Sequence, residues 1–321
     1  QCYHKKRIVL EEIMYYFIVN PNSRSGKGAL IWKELRRTLR QKHISYKAVF
    51  TGYRGHAVKL AASVTAKASP EHPVYLIAVG GDGTIQEVLS GVKDLSCIYF
   101  GYIPTGSGND FCRSMQLPQD PHEALNCILK RKHIASMDVP VISIKGRKSH
   151  FAISCGIGFD AAVCHEVSVT PMKKILNRVG LGKLVYLFIA LKQLLFLKPV
   201  PVTLRMDEER IYPFHKVYFA AVMNQKYEGG GFKFCPDASP SDGYLDVIVV
   251  DGLSKLKVLF CLPTAFWGKH TQFTGIHIFR CKKVEVFSTV PLAVHKDGES
   301  AGIQETFSVS IEKEPVKIIL P

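Results

Sequence analysis

The sequence has no apolar run long enough to cross a bilayer, which takes ~20 residues. Its most apolar stretch, Leu184 to Leu197, is short and carries Lys192 and Gln193. A polytopic membrane protein is thereby excluded. There is no C-x-x-C pair, and the nine cysteines are an odd number. Both facts argue against a disulfide framework and against a zinc site. Most cysteines stand in apolar surroundings and read as small core residues, which points to a reducing, cytoplasmic compartment. No arginine-rich arm, zinc-knuckle spacing or aromatic RNA-binding signature is present, so no nucleic-acid partner is expected. Internal repeats and low-complexity linkers are lacking too. Acidic residues are in short supply: 27 Asp and Glu face 42 Lys and Arg, a formal net charge of +15. The basic residues are spread along the whole chain. That balance serves solubility, and it also fits an anionic membrane surface or a phosphorylated substrate.

What is present is a globular composition, with 47% hydrophobic and 21% charged residues. A chain of 321 residues is longer than one core usually organises, so two domains are expected. Residues 1–14 read as an N-terminal extension with no secretory pattern, and Met14 reads as the natural start.

From Tyr15 to Asp138, short apolar runs alternate with helical spacing. Strands are expected at Tyr15–Val19, Tyr46–Thr51, Val74–Val79 and Ile98–Ile103. Helices are expected at Ala29–Gln41, Arg54–Ala68, Ile85–Val92 and Pro121–Arg131. This predicts an α/β domain over 15–138 with a mostly parallel sheet, whose ligands sit beyond the carboxyl ends of the strands. Over 139–321 strand-like runs dominate, ending with Val316–Leu320, and predict a mainly antiparallel β-sandwich. Two helical insertions interrupt it, near Pro171–Leu197 and Lys255–Trp267.

Three polar, Gly-rich segments fall at the same predicted sheet edge. The first is Asn20-Pro21-Asn22-Ser23-Arg24-Ser25-Gly26-Lys27-Gly28. Amides at a helix start bind phosphate, and Lys27 adds charge. It is not a Walker A loop, because Pro21 and Gly28 stand where Gly and Ser or Thr are required. The second is Gly80-Gly81-Asp82-Gly83-Thr84, where Thr84 and Glu87 have capping-box spacing. Its glycines admit a bulky anion, and Asp82 among phosphates makes sense through a divalent metal ion. A tight turn is the plain alternative. The third is Pro104-Thr105-Gly106-Ser107-Gly108-Asn109-Asp110-Phe111, with the same logic. Gly156 to Ala161 comes nearest to a dinucleotide fingerprint but reads as a bend between strand and helix. Late turns at Gly229–Gly231, Pro236–Tyr244 and His295–Glu299 read singly as hairpins.

Taken in order, G-G-D-G-T at 80–84, G-S-G-N-D-F at 106–111, P-D-A-x-x-x-D-G-Y at 236–244 and D-G-E at 297–299 resemble the diacylglycerol kinase catalytic family. The likeness runs from about Tyr15 to the end and is strongest to its soluble bacterial lipid kinases. G-G-D-G alone is shared with NAD kinases and phosphofructokinases; the ordered set is specific. The resemblance implies an ATP cleft between an α/β domain and a β-sandwich domain. It implies that Asn20, Thr51, Gly80, Gly81, Asp82, Gly83, Thr84, Glu87, Gly106, Ser107 and Asn109 line the nucleotide site, with Lys27 near the phosphates. Asp82, Asp110 and Asp138 match acidic positions around the catalytic Mg²⁺, and Glu299 matches the general base. Ser239, Asp242 and Tyr244 match a second, structural Mg²⁺ site. Lys296 departs from the pattern, standing where an apolar residue is common, and Ser107 stands where Thr is frequent.

The expected activity is ATP-dependent phosphorylation of a lipid hydroxyl, diacylglycerol to phosphatidic acid. A sphingoid base, ceramide or phosphatidylglycerol are alternative acceptors, and a silent nucleotide- or lipid-binding regulator is a different class. Phosphoryl transfer is mostly positioning and charge neutralisation, so carboxylates serve chiefly through Mg²⁺. The substrate stays in the membrane, so peripheral attachment to an anionic membrane surface is expected. The basic run Lys173 to Lys183, leading into Leu184–Leu197, suits it, and a core-packed helix is the plain alternative. A homodimer is compatible with this reading.

Overall fold

The computed structural model describes residues 13–106, 108–169 and 182–321. The expectations placed on residues 1–12, on Ser107 and on Lys173 to Leu181 lie outside the described residues, as does the first part, 171–181, of the insertion expected from Pro171.

The first sheet begins with β1 (Tyr15–Val19), β2 (Tyr46–Phe50), β3 (Val74–Gly80) and β4 (Ile98–Pro104), which lie in the order β2-β1-β3-β4 and run parallel. Helix α1 (Ser23–Gln41) follows β1, α2 (His56–Val64) follows β2, and α3 (Asp82–Gly91) follows β3. After β4 come α4 (Asp110–Ser114) and α5 (Pro121–Lys130). Both faces of the sheet are covered. Phe17, Val19, Ile77 and Val79 meet Trp32, Leu35 and Leu39 of α1 and Leu125 of α5. On the other face Ile18, Leu76 and Ala78 meet Ala57 and Ala61 of α2 and Ile85, Val88 and Leu89 of α3. Each such large side chain contributes ~1.5–3 kcal/mol on burial. Covered on two faces, the central strands need continuous apolar runs, and β3 has one in Leu76–Val79.

Two more strands complete this sheet, one not expected from periodicity and one expected in the other half. β5 (His133–Met137) is a largely exposed edge strand and lacks an apolar face to announce it. β15 (Val316–Leu320), read from the sequence as part of the second half, returns to the first sheet. It lies between β4 and β5, parallel to the former and antiparallel to the latter. Its Val316, Ile318 and Ile319 are buried there.

The second half is antiparallel. β6 (Pro140–Ile144), β7 (Arg147–His150), β8 (Ser154–Gly158), β9 (Val200–Met206), β10 (Arg210–Met223), β11 (Leu245–Asp251), β12 (Ile276–Cys281), β13 (Lys283–Lys296) and β14 (Glu299–Ile311) form one nine-stranded sheet. Its pairings among these strands are all antiparallel. The strand-to-helix passage expected at Gly156–Ala161 falls at Gly158–Phe159, and β8 runs further than expected, as a central strand between β10 and β13. Cys155 and Ile157 enter the core. Gly158 lets the Tyr218 carbonyl approach, since a Cβ there would fall 2.4 Å from that oxygen. Among the described residues three α-helices follow or interrupt the strands: α6 (Phe159–Val169), α7 (Gly182–Phe196) and α8 (Lys255–Thr264). No helix among the described residues is long and apolar enough to cross a membrane.

Candidate active site

The carboxyl ends of four parallel strands are sewn to one another. Thr51 N–H donates to Val19 O (2.9 Å), Asn20 N–H to Val79 O (2.8 Å) and Thr105 N–H to Gly80 O (2.7 Å). Side chains continue the seam. The Ser23 and Thr105 hydroxyls share a buried hydrogen bond of 2.7 Å, and Asn20 Nδ2 donates to Thr84 Oγ1 at 3.4 Å. Asn20, Thr51, Gly80 to Thr84, Gly106 and Asn109 therefore gather at one edge. The backbones of two Gly-rich loops touch, because a Cβ on Gly106 would lie 2.8 Å from Gly81 Cα. Only glycine permits that approach.

The helix after the second motif starts at Asp82, with Gly81 as its N-cap, three residues before the expected Thr84 cap. Glu87 does not close a capping box. Its carboxylate accepts from Gly55 N–H at 2.7 Å and Ala57 N–H at 3.1 Å, so it caps α2 and shapes the loop after Thr51. The first motif also differs from the simple loop expected. α1 opens at Ser23 with Arg24 and Gly26 in left-handed backbone, and Ala29 N–H reaches Pro21 O at 3.1 Å. Lys27 is exposed on that opening turn.

Asp82 is the electrostatic centre. Its Oδ1 is buried and makes no hydrogen bond. Burial, then the negative charges of Asp110 and Asp297, push its carboxyl from the usual 3.8 up to about 7. Asp110, at the start of α4, is buried as well. Its Oδ1 pairs with Arg113 at 2.5 Å and its Oδ2 accepts from Gly230 N–H at 2.6 Å. Burial raises its carboxyl, against the Gly230 amide and Arg113. Asn109 Oδ1 is a second buried oxygen without a partner. Orphaned oxygens of this kind are the donor set of a hard divalent cation, so this group of residues fits Mg²⁺.

Glu299 comes from the second sheet. β13 and β14 form a hairpin whose last pair is Lys296 with Glu299. Asp297 and Gly298 both have positive φ (47° and 73°), as a two-residue primed turn requires, and Asp-Gly is a preferred pair there. Asp297 folds back as an anchor. Its carboxylate accepts from the amides of Ala152 (2.8 Å), Ile153 (2.8 Å) and Ser154 (3.0 Å). This sets Glu299 above the second motif, where a Cβ on Gly83 would fall 2.6 Å from Glu299 Oε1. Arg54, from the loop after β2, pairs with Glu299 at 2.8 Å and donates to Ser300 O at 3.3 Å.

Asp138 is placed elsewhere. Its Oδ2 accepts from Gly243 N–H at 2.7 Å, and its own N–H donates to Pro240 O at 2.6 Å. It joins the Ser239–Tyr244 segment rather than Asp82. There Asp242 Oδ1 accepts from Tyr244 N–H at 3.0 Å, and Oδ2 is paired with Arg280, whose guanidinium lies 4.7 Å over the Tyr244 ring. Both oxygens of Asp242 are thus engaged. Beside the third motif, a cavity of about 210 Å³ is lined by Arg24, Pro104, Gly106, Asn109 and His122, among others.

Sequence reading missed Arg54 and the anchoring role of Asp297. Arg54 is a lone basic residue in a loop and carries no local signal. Asp297 was legible as a turn residue, but its three amide partners lie more than 140 positions away.

Comparison with known proteins bears directly on this arrangement. A family model described as the diacylglycerol kinase catalytic domain matches residues 14–141, and one described as a YegS C-terminal NAD kinase beta sandwich-like domain matches 154–319. A Bacillus subtilis (strain 168) protein, named as a candidate lipid kinase, YtlR, is 29% identical over 310 residues, 95% of this chain and 98% of its own. A diacylglycerol kinase of Mycobacterium tuberculosis (strain ATCC 25618 / H37Rv) is 29% identical over 287 residues, 87% of each chain. In fold, the chain is similar to the crystal structure of a candidate diacylglycerol kinase from Bacillus anthracis str. Sterne. That likeness has a TM-score of 0.75 at 23% identity, over 97% of this chain and 98% of the other.

Proposed function

The chain belongs to the diacylglycerol kinase-like family of ATP-dependent lipid kinases, and we propose that it transfers the γ-phosphate of ATP to the free hydroxyl of diacylglycerol. The observation that carries this reading is Glu299, brought by one domain to the Gly83 turn of the other. ATP takes the sewn edge, its phosphates against the Gly80–Thr84 and Gly106–Asn109 turns and its anionic charge near Lys27. Asp82, with Asp110 and Asn109 beside it, would hold Mg²⁺. When bound, that ion supplies charge neutralisation on the phosphates. Glu299 accepts the proton of the lipid hydroxyl as the new O–P bond forms, a role typically worth ~10²–10⁴-fold. Glu87 keeps the loop between Thr51 and α2 in place and touches the nucleotide only through it. Asp138 steadies the Ser239–Tyr244 segment. A second cation on Asp242 requires Arg280 to leave.

The lipid must be met at its membrane. α7 exposes Phe188, Leu191, Leu195 and Phe196, and α8 exposes Leu256, Leu259 and Phe260. The two helices are joined by Lys255 Nζ, which donates to Leu195 O. Trp267 beyond α8 is 71% exposed. Apolar side chains on adjoining helices of a chain with net charge +15 support peripheral docking on an anionic leaflet. Each Lys or Arg near such a surface adds ~1 kcal/mol.

The test is phosphate transfer from ATP in mixed micelles containing Mg²⁺. The acceptors are diacylglycerol, monoacylglycerol, phosphatidylglycerol, ceramide and sphingosine, with Asp82→Ala as the blank. Phosphatidic acid from diacylglycerol, absent in the blank, is expected. Transfer to another lipid alone replaces the acceptor, and no transfer at all with ATP still bound favours a regulatory module. In liposome sedimentation, stronger binding to anionic than to neutral vesicles is expected. Equal binding removes the electrostatic part.

A further inference from the structure

Three ionisable side chains converge inside the second domain, away from the residues assigned to ATP. Asp160 lies at the start of α6, Glu228 in the segment after β10, and His295 near the end of β13. His295 Nε2 lies 2.8 Å from Asp160 Oδ2 and 3.2 Å from Glu228 Oε1. One ligand atom from each lies within 4.8 Å of the other two. His295 is wholly buried and Glu228 is 7% exposed.

An ion pair accounts for this cluster poorly. One imidazolium Nε2–H cannot serve two carboxylates at full strength. The other nitrogen, Nδ1, is buried and has no acceptor. Glu228 Oε2 is buried without a partner, and so is the hydroxyl of Ser154, which is 0% exposed. Ser154 stands beside the Glu228 carboxylate. The cluster closes against the Gly156 backbone, which only glycine permits: a Cβ there would fall 2.7 Å from Asp160 Oδ2 and 2.8 Å from His295 Nε2.

We propose that Asp160, Glu228 and His295, with the Ser154 hydroxyl beside them, form a structural site for a first-row divalent transition cation of the zinc class. Two carboxylates and a neutral imidazole balance the charge of such an ion. The separations of His295 Nε2 from the two carboxylate oxygens, 2.8 and 3.2 Å, approach the edge of a tetrahedron with bonds of about 2.0–2.2 Å. Imidazole selects against Mg²⁺ and Ca²⁺, which keeps this site apart in chemistry from the cation at Asp82. The sequence argument against zinc rested on cysteine spacing, and this set contains no cysteine. The ion would tie three segments together: α6, the turn whose Gly230 N–H holds Asp110, and the strand that feeds the Glu299 hairpin.

The test uses the purified full chain, stripped with a chelator and dialysed against Zn²⁺ alone. One equivalent of zinc retained per chain is expected, with Tm raised by ~5 °C at a zinc concentration about a hundredfold over Kd. Glu228→Gln and His295→Gln should each lose the bound metal and the shift, and Mg²⁺ at equal concentration should not replace zinc. Co²⁺ on the wild-type chain should give d–d bands without a thiolate charge-transfer band, a readout that needs no variant to fold. Three results would overturn the site. They are no zinc retained, zinc retained equally by Glu228→Gln, or a thiolate band with Co²⁺, which would assign the metal to cysteines.

Discussion

Asp82 and Asp297 sit on opposite sides of the domain junction, close enough for the charge of one to raise the pKa of the other. They are handled in opposite ways. Asp297 accepts three backbone amides and has become part of the wall. Asp82 keeps one buried oxygen with no partner. A carboxylate whose lone pairs are satisfied by the protein stabilises a fold. One left unsatisfied destabilises it until something else arrives. The same contrast separates Glu87, whose two oxygens are spent on the amides of α2, from Glu299, which reaches across the junction. Acidic residues in one small region thus divide into those that build the site and those that work in it.

The largest effect should come from Glu299→Gln. We expect kcat for lipid phosphorylation to fall by ~10²–10⁴-fold, with ATP affinity by calorimetry within about twofold of wild type. Full turnover in this variant would take Glu299 out of the mechanism. Asp297→Ala should cost mostly stability. It strands three buried amides, each worth ~1–3 kcal/mol, so the urea midpoint should drop by an amount equivalent to ~3 kcal/mol or more. If the drop is under 1 kcal/mol, Asp297 is no anchor and the contrast with Asp82 fails.

Asp82→Asn should go the other way. The Asp82 carboxyl titrates near about 7 when folded, against an ordinary 3.8. Folding therefore takes up a proton between those values, and the stability this group contributes is present at low pH and lost as pH rises toward and through 7. Without divalent metal, Asp82→Asn should match wild type below about pH 4, gain on it as pH rises and exceed it most near pH 8, while transfer activity is lost throughout. Wild type more stable than the variant at pH 8 in chelator would show that the amides of Asp110 and Phe111 outweigh the burial of Asp82.

Much of this was legible in the residues. The alternation of Tyr15–Val19, Val74–Val79 and Ile98–Ile103 with helical spacing placed the parallel sheet, because strands covered on both faces must be apolar throughout. The glycine turns at 80–84 and 106–109 lay at its carboxyl edge, since a strand followed by a helix leaves its turn there. Long-range return was not legible. Val316–Leu320 carries an apolar pattern that fits either sheet, and nothing local tells it to lie beside β4. β8 was hidden by its glycines, which mark close backbone approach in a strand as readily as they mark a bend. Asp138 shared the acidic look of Asp82, and only the fold shows that it faces Gly243. His295 and Glu228 are 67 positions apart with no motif between them, so their meeting is a property of the tertiary fold alone.

Two smaller changes sharpen the division between building and working acids. Glu87→Gln keeps the size of the side chain but halves its acceptors at the start of α2. A loss of ~1 kcal/mol, the usual worth of a helix cap, is expected in thermal unfolding, with kcat changed less than KM for ATP. Arg54→Ala should be the mildest. Its pair with Glu299 is 65% and 41% exposed, and exposed ion pairs contribute ~0.2–1 kcal/mol that salt screens. Stability should fall by less than 1 kcal/mol in low salt and by nothing measurable in high salt. A larger, salt-independent loss would mean that the two domains are held together through this pair, and Glu299 would then belong among the residues that build the junction as well as those that work in it.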